Sequence, residues 1–138
     1  MTEPTHTVYL GMGANIGNRK RTLREAVAAV GEEVGTVEAV SSFYESKPQG
    51  FDSPNDFLNI AVRVRTALSP RGVLTVTQKI ERDLGRLRKS QNGVYQDRII
   101  DIDILLYDDL TVNEDDLKIP HPLMRKRDFV MVPLGEIL

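Results

Sequence analysis

Cysteine and tryptophan are both absent from the 138 residues. Without thiols the chain can form no disulfide, no thiolate metal site and no cysteine nucleophile. Histidine is nearly as scarce, with only His6 and His121, far apart in sequence. A zinc site is therefore poorly supported, and a hard cation held by oxygen atoms is the better-founded metal. No G-x-S-x-G elbow exists to present a nucleophilic serine. No apolar run reaches the roughly 20 residues of a membrane-spanning helix. The opening "MTEPTHTVYLGMG" has neither a basic n-region nor an apolar h-region, so a cytoplasmic protein is expected. Nor is there a basic surplus: 18 Lys and Arg stand against 20 Asp and Glu, for a net charge of −2. Nothing in that balance draws the whole chain to nucleic acid or to an anionic membrane.

What is present is an ordinary globular composition, 41% apolar and 28% charged, of a length that suits one domain over 1–138. "HTVYLGMG" reads as a first strand closed by Gly11 and Gly13. "NRKRTLREAVAAVG" places Leu23, Ala26, Val27 and Val30 at helical spacing, with Asn18 to cap the start and Gly31 near the end. Thr36 to Ser46 is rich in β-branched and aromatic residues and reads as a second strand, followed by the loop "KPQGFDSPND". In "FLNIAVRVRTAL", Leu58, Ile60, Val62 and Val64 form one face; Phe57, Asn59, Ala61, Arg63 and Arg65 form the other. "SPRGVLTVTQKIERDLG" predicts a helix with Ser69 as N-cap, Pro70 at the first position and Gly85 at the end. Its apolar stripe is Val73, Thr77, Ile80 and Leu84. A fourth strand, "LKIPHP" as a further strand and a largely helical end, "LMRKRDFVMVPLGEIL", complete the chain. The order β-α-β-β-α-β predicts an α+β, ferredoxin-like antiparallel sheet with helices packed on it, plus an added hairpin and a C-terminal helix. That fold serves enzymes, RNA-binding modules and ligand sensors alike, so function must come from particular residues.

The fourth strand, "DRIIDIDILLYDD", carries the most information. Ile100, Ile102, Ile104 and Leu106 form one face; Asp101 and Asp103 lie on the other with Leu105 and Tyr107. Side chains two apart on a strand are about 6.7 Å apart along it. Two carboxylates at that spacing repel by about 0.6 kcal/mol in water and about 2.5 kcal/mol at an effective dielectric of 20. A divalent cation reverses the sign, since Mg2+ combines one or two carboxylates with waters and substrate phosphates. By spacing alone a solvated edge strand is the plainer reading. The surroundings shift the balance. "GRLRKSQNGVYQDR" precedes the strand with Arg86, Arg88, Lys89 and Arg98 against a single acid, and "KIPHPLMRKRDF" follows the hairpin with Lys118, His121, Arg125, Lys126 and Arg127. Between Ile99 and Leu117 there are seven acids and no base. Guanidinium forks suit phosphate oxygens and carboxylates suit the metal that neutralises the rest, the needs of phosphoryl transfer. Arg125 and Lys126 individually read as solvated.

"GMGANIGN" is one residue too long for the dinucleotide fingerprint and lacks the G-K-[S/T] of a P-loop. Its glycines read as permitting close approach of a strand or a ligand. An RNA-binding module on the same fold would need an RNP-like set of aromatics on a basic face, and Tyr9 and Phe57 do not make one.

Taken together, "LGMGANIGN", "SSFYESKPQGF", "DFLNIAV", "TQKIERDLGRLRK", "DRIIDIDILLY" and "IPHPLMRKRDFVMVPLGEI" resemble, in order and over nearly the whole chain, the 6-hydroxymethyl-7,8-dihydropterin pyrophosphokinases of folate biosynthesis. The combination of R-x-I-D-[IL]-D-[IL] with a downstream P-H-P-x-M-x-x-R-x-F is highly specific. The resemblance implies transfer of pyrophosphate from ATP to the hydroxymethyl oxygen of the dihydropterin, leaving AMP. It implies that Asp101 and Asp103 hold Mg2+, two ions in all, and that Arg88 and Arg98 share the catalytic work on mobile loops. Arg86, Arg88, Lys89, Arg98 and Arg127 match phosphate-gripping positions, and His121 matches a histidine near the phosphates. Gln78, Glu81, Ile104 and Lys118 match nucleotide-side positions, the last being threonine in some members. Phe57 and Phe129 match two aromatics that sandwich the pterin, Asn59 the side chain at its edge, and Ser46, Lys47 and Gln49 backbone groups around it. Taken without the resemblance, both phenylalanines read as core residues. The implied partners are small molecules, with no nucleic acid and no membrane, and the implied state is a monomer.

Overall fold

The computed structural model describes residues 5–47, 55–85 and 99–138. Among these, a four-strand path carries the architecture. Strand β1 (His6–Ala14) lies between β4 (Phe57–Thr66) and β5 (Asp101–Tyr107), and β2 (Gly35–Val40) pairs the far side of β4. Every pairing is antiparallel. This is the predicted ferredoxin-like order, with the strand expected over residues 36–46 divided in two.

The division has a physical cause. β4 is ten residues long, and β2 pairs only its C-terminal half, with a bulge between Val37 and Ala39. The chain then leaves the ladder at Ser41 and returns as β3 (Tyr44–Ser46) against Phe57–Asn59. At the break the Ser41 hydroxyl accepts the Ala61 N–H at 2.8 Å, and the Ser41 N–H donates to the Ala61 carbonyl at 2.9 Å. A side-chain oxygen thus stands in for one ladder acceptor and keeps β4 satisfied across the gap.

Helices α1 (Arg19–Glu33) and α2 (Pro70–Asp83) cover one face of the sheet. Their sequence signals act as expected: the Asn18 side chain accepts the Arg21 N–H, and the Ser69 side chain accepts the Gly72 N–H with Pro70 behind it. Gly85, at φ +110°, follows the end of α2 in the left-handed region. Gly31 stands near the end of α1, as expected, and the helix runs two residues past it to Glu33 and is closed at Val34. The core here joins Val8, Leu10, Met12, Ile60, Val62, Val64, Ile102 and Ile104 of the sheet to Leu23, Ala26 and Val30 of α1 and Val73 and Ile80 of α2.

A second bulge changes the predicted face of one residue. Leu10 pairs Ile104, but Tyr9 pairs Leu106, so Leu105 is an extra residue in β5. Strict alternation puts Tyr107 beside the two aspartates; the bulge instead turns it into the helix-side core, 1% exposed, and leaves Leu105 and Leu106 on the opposite face. Tyr107 donates its hydroxyl to the Leu68 carbonyl at 2.5 Å. Tyr107→Phe strands that buried acceptor, and urea unfolding is expected to show a loss of about 1–2 kcal/mol. An unchanged midpoint would remove the hydrogen bond from the core's accounts.

Hairpin β6 (Val112–Glu114) and β7 (Leu117–Ile119) forms its own two-stranded sheet, anchored by buried Leu117 and Ile119. A 3-10 turn (Met124–Lys126) then leads into helix α3 (Asp128–Ile137), a shorter helix than the predicted helical end. Met124, Leu134 and Ile137 pack on Ala61 and Leu105, so α3 lies on the sheet face opposite α1 and α2. Glu136 ties it to the β2–β3 break by accepting the Ser42 N–H at 2.9 Å and the Ser42 hydroxyl at 2.6 Å. Among the described residues, no helix is long and apolar enough to cross a membrane.

Candidate active site

Helix α3 covers only part of its face, and beside it lies a cleft of about 940 Å3 floored by the sheet. The register explains why this floor is open. On β1, Gly13 pairs both Asn59 and Asp101, and Gly11 pairs both Ala61 and Asp103. The central strand therefore presents no side chain between the polar groups of its two neighbours. A Cβ on Gly13 would lie 3.1 Å from Asn59 Oδ1 and 3.4 Å from Phe57 Cδ1, and one on Gly11 would lie 3.3 Å from Leu105 Cδ2. The glycines noted at the start of the chain thus let Asn59 and Phe57 lie close over Gly13 and Leu105 close over Gly11.

Phe57, Asn59, Ser46 and Lys47 line one side of this floor, and Asp101 and Asp103 line the other, both half-buried. Asn59 is 5% exposed, and its amide donates to the Tyr44 carbonyl at 2.8 Å and to Ser46 Oγ at 2.9 Å. Two acceptors on the nitrogen side fix the amide orientation and turn Oδ1 toward the Gly13 gap. Phe129 lines the cleft from α3, with the Arg127 guanidinium 5.5 Å from its ring centroid. The phenylalanines are accordingly cleft residues and not plain core.

From α2 come Gln78 and the buried Glu81. From the segment after β7 come His121 and Arg127. The His121 N–H donates to the carbonyl of the bulge residue Leu105 at 3.0 Å, and its Nδ1 accepts the Leu123 N–H at 3.3 Å. Burial, assisted by Arg127, holds this imidazole below its ordinary pKa although Asp101 pulls the other way. With Nδ1 accepting, the neutral ring carries its proton on Nε2 and is a donor.

Two expected nucleotide-side residues fall elsewhere. Ile104 buries its side chain in the helix-side core, so any contact it makes with a nucleotide is through its backbone. Lys118 is exposed and donates to Asn113 Oδ1 at 2.9 Å, and it is not among the residues that line the cleft. Gln49, Arg86, Arg88, Lys89 and Arg98 lie outside the described residues. Arg125 and Lys126 are exposed, as read from the sequence. Sequence reasoning missed Leu74 and Asp116, which close one end of the cleft. Arg71 holds Asp116 and Glu114 together, linking the first turn of α2 to the hairpin. The signal was the acidic run itself, which looks like a solvated turn until its partner one helix away is known.

The donor set fits Mg2+. Asp101 and Asp103 offer hard carboxylate oxygens on one face, paired with Gly13 and Gly11 of β1. No group of three or more His, Cys, Asp or Glu that could hold a metal occurs among the described residues. Mg2+ commonly takes one or two carboxylates, with its remaining positions going to water and substrate phosphate.

Comparison with known proteins places the chain in a family. A family profile described as 7,8-dihydro-6-hydroxymethylpterin-pyrophosphokinase (HPPK) matches residues 9–138. The chain is 47% identical over 131 residues to a 2-amino-4-hydroxy-6-hydroxymethyldihydropteridine pyrophosphokinase of Porphyromonas gingivalis, covering 94% of this chain and 89% of that one. It is 43% identical over 130 residues to the Bacillus subtilis protein of the same name, covering 94% and 76%. Among solved structures, a Plasmodium falciparum HPPK-DHPS superposes with a TM-score of 0.75 at 17% identity, over 99% of this chain. The present chain spans only 42% of that fused protein, and the likeness there is one of fold. A family profile over residues 9–138 and a relative 47% identical over 94% of the chain give one answer: the chain belongs to the HPPK family.

Proposed function

We propose that this chain transfers the pyrophosphoryl group of ATP to the hydroxymethyl oxygen of 6-hydroxymethyl-7,8-dihydropterin, a step of folate biosynthesis. One observation carries the reading. Asp101 and Asp103 face the same cleft as Phe57 and Asn59, across the gap left by Gly11 and Gly13. Metal-binding and ring-binding groups are thus held on opposite sides of a single floor.

In the reaction the hydroxymethyl oxygen attacks the β-phosphorus, the bond from that phosphorus to the α–β bridging oxygen breaks, AMP leaves, and the hydroxyl proton goes to solvent. Asn59 Oδ1 accepts from the ring edge, and Phe57 and Phe129 take the ring faces. Ser46, Lys47 and Gln49 complete the pterin subsite through backbone groups. Gln78 and the His121 Nε2–H serve the nucleotide, and Arg127 its phosphates. Arg86, Arg88, Lys89 and Arg98 are assigned to the phosphates on the resemblance, with Arg88 and Arg98 closest to the chemistry. Asp101 and Asp103 hold Mg2+, two ions in this reading, which when bound neutralises the triphosphate. The protein's own contribution is alignment of the attacking oxygen and exclusion of water. One domain, acting as a monomer in the cytoplasm, is the setting that this reading implies.

Incubation with ATP, Mg2+ and the hydroxymethyl-dihydropterin should release AMP. Release of ADP would rule out pyrophosphoryl transfer. Asn59→Leu leaves the ring edge without an acceptor and is expected to lower kcat/KM for the pterin by about 10- to 100-fold, the range for one buried unpaired polar group. An unchanged KM and kcat for the pterin would move the ring elsewhere.

A further inference from the structure

We propose that Glu81 is a positioning residue: by accepting the Ile102 amide it sets the pitch between Asp101 and Asp103. The inference rests on the reading of those aspartates as metal ligands. Among the described residues β5 is the last strand on its side of the sheet, and no described strand pairs its outer edge. The Ile102 N–H points to that edge and donates to Glu81 Oε2 at 2.8 Å. Ile102 lies between the two aspartates in sequence, and its own side chain is buried in the opposite direction. β1 holds the register at Asp101 and Asp103 from one side, and the Ile102 amide is where Glu81 holds the strand between them from the other.

The acceptor is itself costly. Glu81 is a helix residue only 8% exposed, and a carboxylate at that depth is rarely kept without a partner. An apolar residue would leave that buried edge amide unpaired and the outer edge of β5 held only from the β1 side. α2 is fixed to the rest of the fold through Val73 and Ile80. Glu81 thus transmits the rigidity of that helix to the metal-binding strand, the kind of orienting contact whose loss typically weakens metal affinity by about 10- to 100-fold.

Two substitutions separate the acceptor from the charge. Glu81→Gln keeps an oxygen for the Ile102 N–H, and Glu81→Leu removes it. In the metal-free protein, Glu81→Leu should accelerate amide hydrogen exchange at Ile102 by about tenfold or more relative to Met12 on β1 opposite, while Glu81→Gln stays within about threefold. With α,β-methylene-ATP present, Mn2+ binding followed by electron paramagnetic resonance should weaken by about 10- to 100-fold in Glu81→Leu and by less than about threefold in Glu81→Gln. In turnover, the Mg2+ concentration for half-maximal rate should rise in Glu81→Leu while KM for ATP at saturating Mg2+ holds. A raised KM for ATP at saturating Mg2+ would make Glu81 a nucleotide contact and overturn the proposal. So would equal damage in both variants, which would assign the effect to charge. Should Glu81→Leu fail to fold, the Glu81→Gln exchange and Mn2+ values decide alone, and a tenfold loss in either overturns it. Failure of the wild-type chain to form AMP would instead sink the underlying functional reading, and the exchange result would stand apart from it.

Discussion

Asp103→Asn is expected to lower AMP formation at saturating ATP by about three orders of magnitude, equivalent to about 4 kcal/mol of transition-state stabilisation. The substitution keeps the shape of the side chain and removes one charge, so packing gives no reason for the loss. Asp103 sits beside Gly11, and Asp101 beside Gly13, with no β1 side chain to take over either role. Asp101→Asn should behave alike, and the double variant should be little worse than either single one, because groups acting as a unit are not additive. The fold should persist in all three, since both side chains face the cleft and not the core. Circular dichroism and a thermal midpoint within a few degrees of wild type check that half of the expectation. Turnover within tenfold of wild type at saturating Mg2+ would dismiss the pair as metal ligands.

Gly13→Val is expected to cut kcat/KM for the pterin by about 100-fold while the chain still folds. The backbone at Gly13 is ordinary strand, so valine meets no strain there, and in a strand interior it is favoured over glycine. The conflict is on the cleft side. The first added carbon already lies 3.1 Å from Asn59 Oδ1, and the branches of valine extend further into the space for the ring. Displacing the recognition group by about 1 Å is enough for a loss of this size. Gly13→Ala should be milder, because only the first carbon must be accommodated. If Gly13→Val lost stability and kept pterin affinity, the glycine would belong to the fold and not to the floor.

The helix caps and the two-faced pattern of β4 were legible in the sequence, because each depends on neighbours within a few residues. Ser69, Pro70 and Asn18 act locally, and Leu58 to Val64 alternate toward one core. The misplaced features depend on partners far along the chain. Residues 36–46 divide because β4 offers two separate pairing sites and Ser41 can bond Ala61 between them. Tyr107 changes face because β5 carries an extra residue against β1, and no property of Leu105 itself announces that. Within the site, the aspartate pair stood out by charge in an apolar run. Phe57 and Phe129 were ambiguous, since the same side chain suits a core or an open floor, and only the cleft they line decides between them. Glu81 lines the cleft, but its bond to the Ile102 amide was not legible: a carboxylate on a helix says nothing of the amide it meets until the strand is in place.

The Leu105 bulge has a bearing on how this segment tolerates change. Ahead of it the acids project to the cleft; behind it Tyr107 projects to the core, so the two halves of β5 obey separate phases. Gaining or losing residues in the Asp108–Asp116 reach would be absorbed past that break, with the carboxylates left aimed as before. Removing Leu105 itself would couple the halves again and swing Tyr107 out of its berth or the acids into the apolar interior. Length variation in related chains should therefore be common downstream of this position and rare at it.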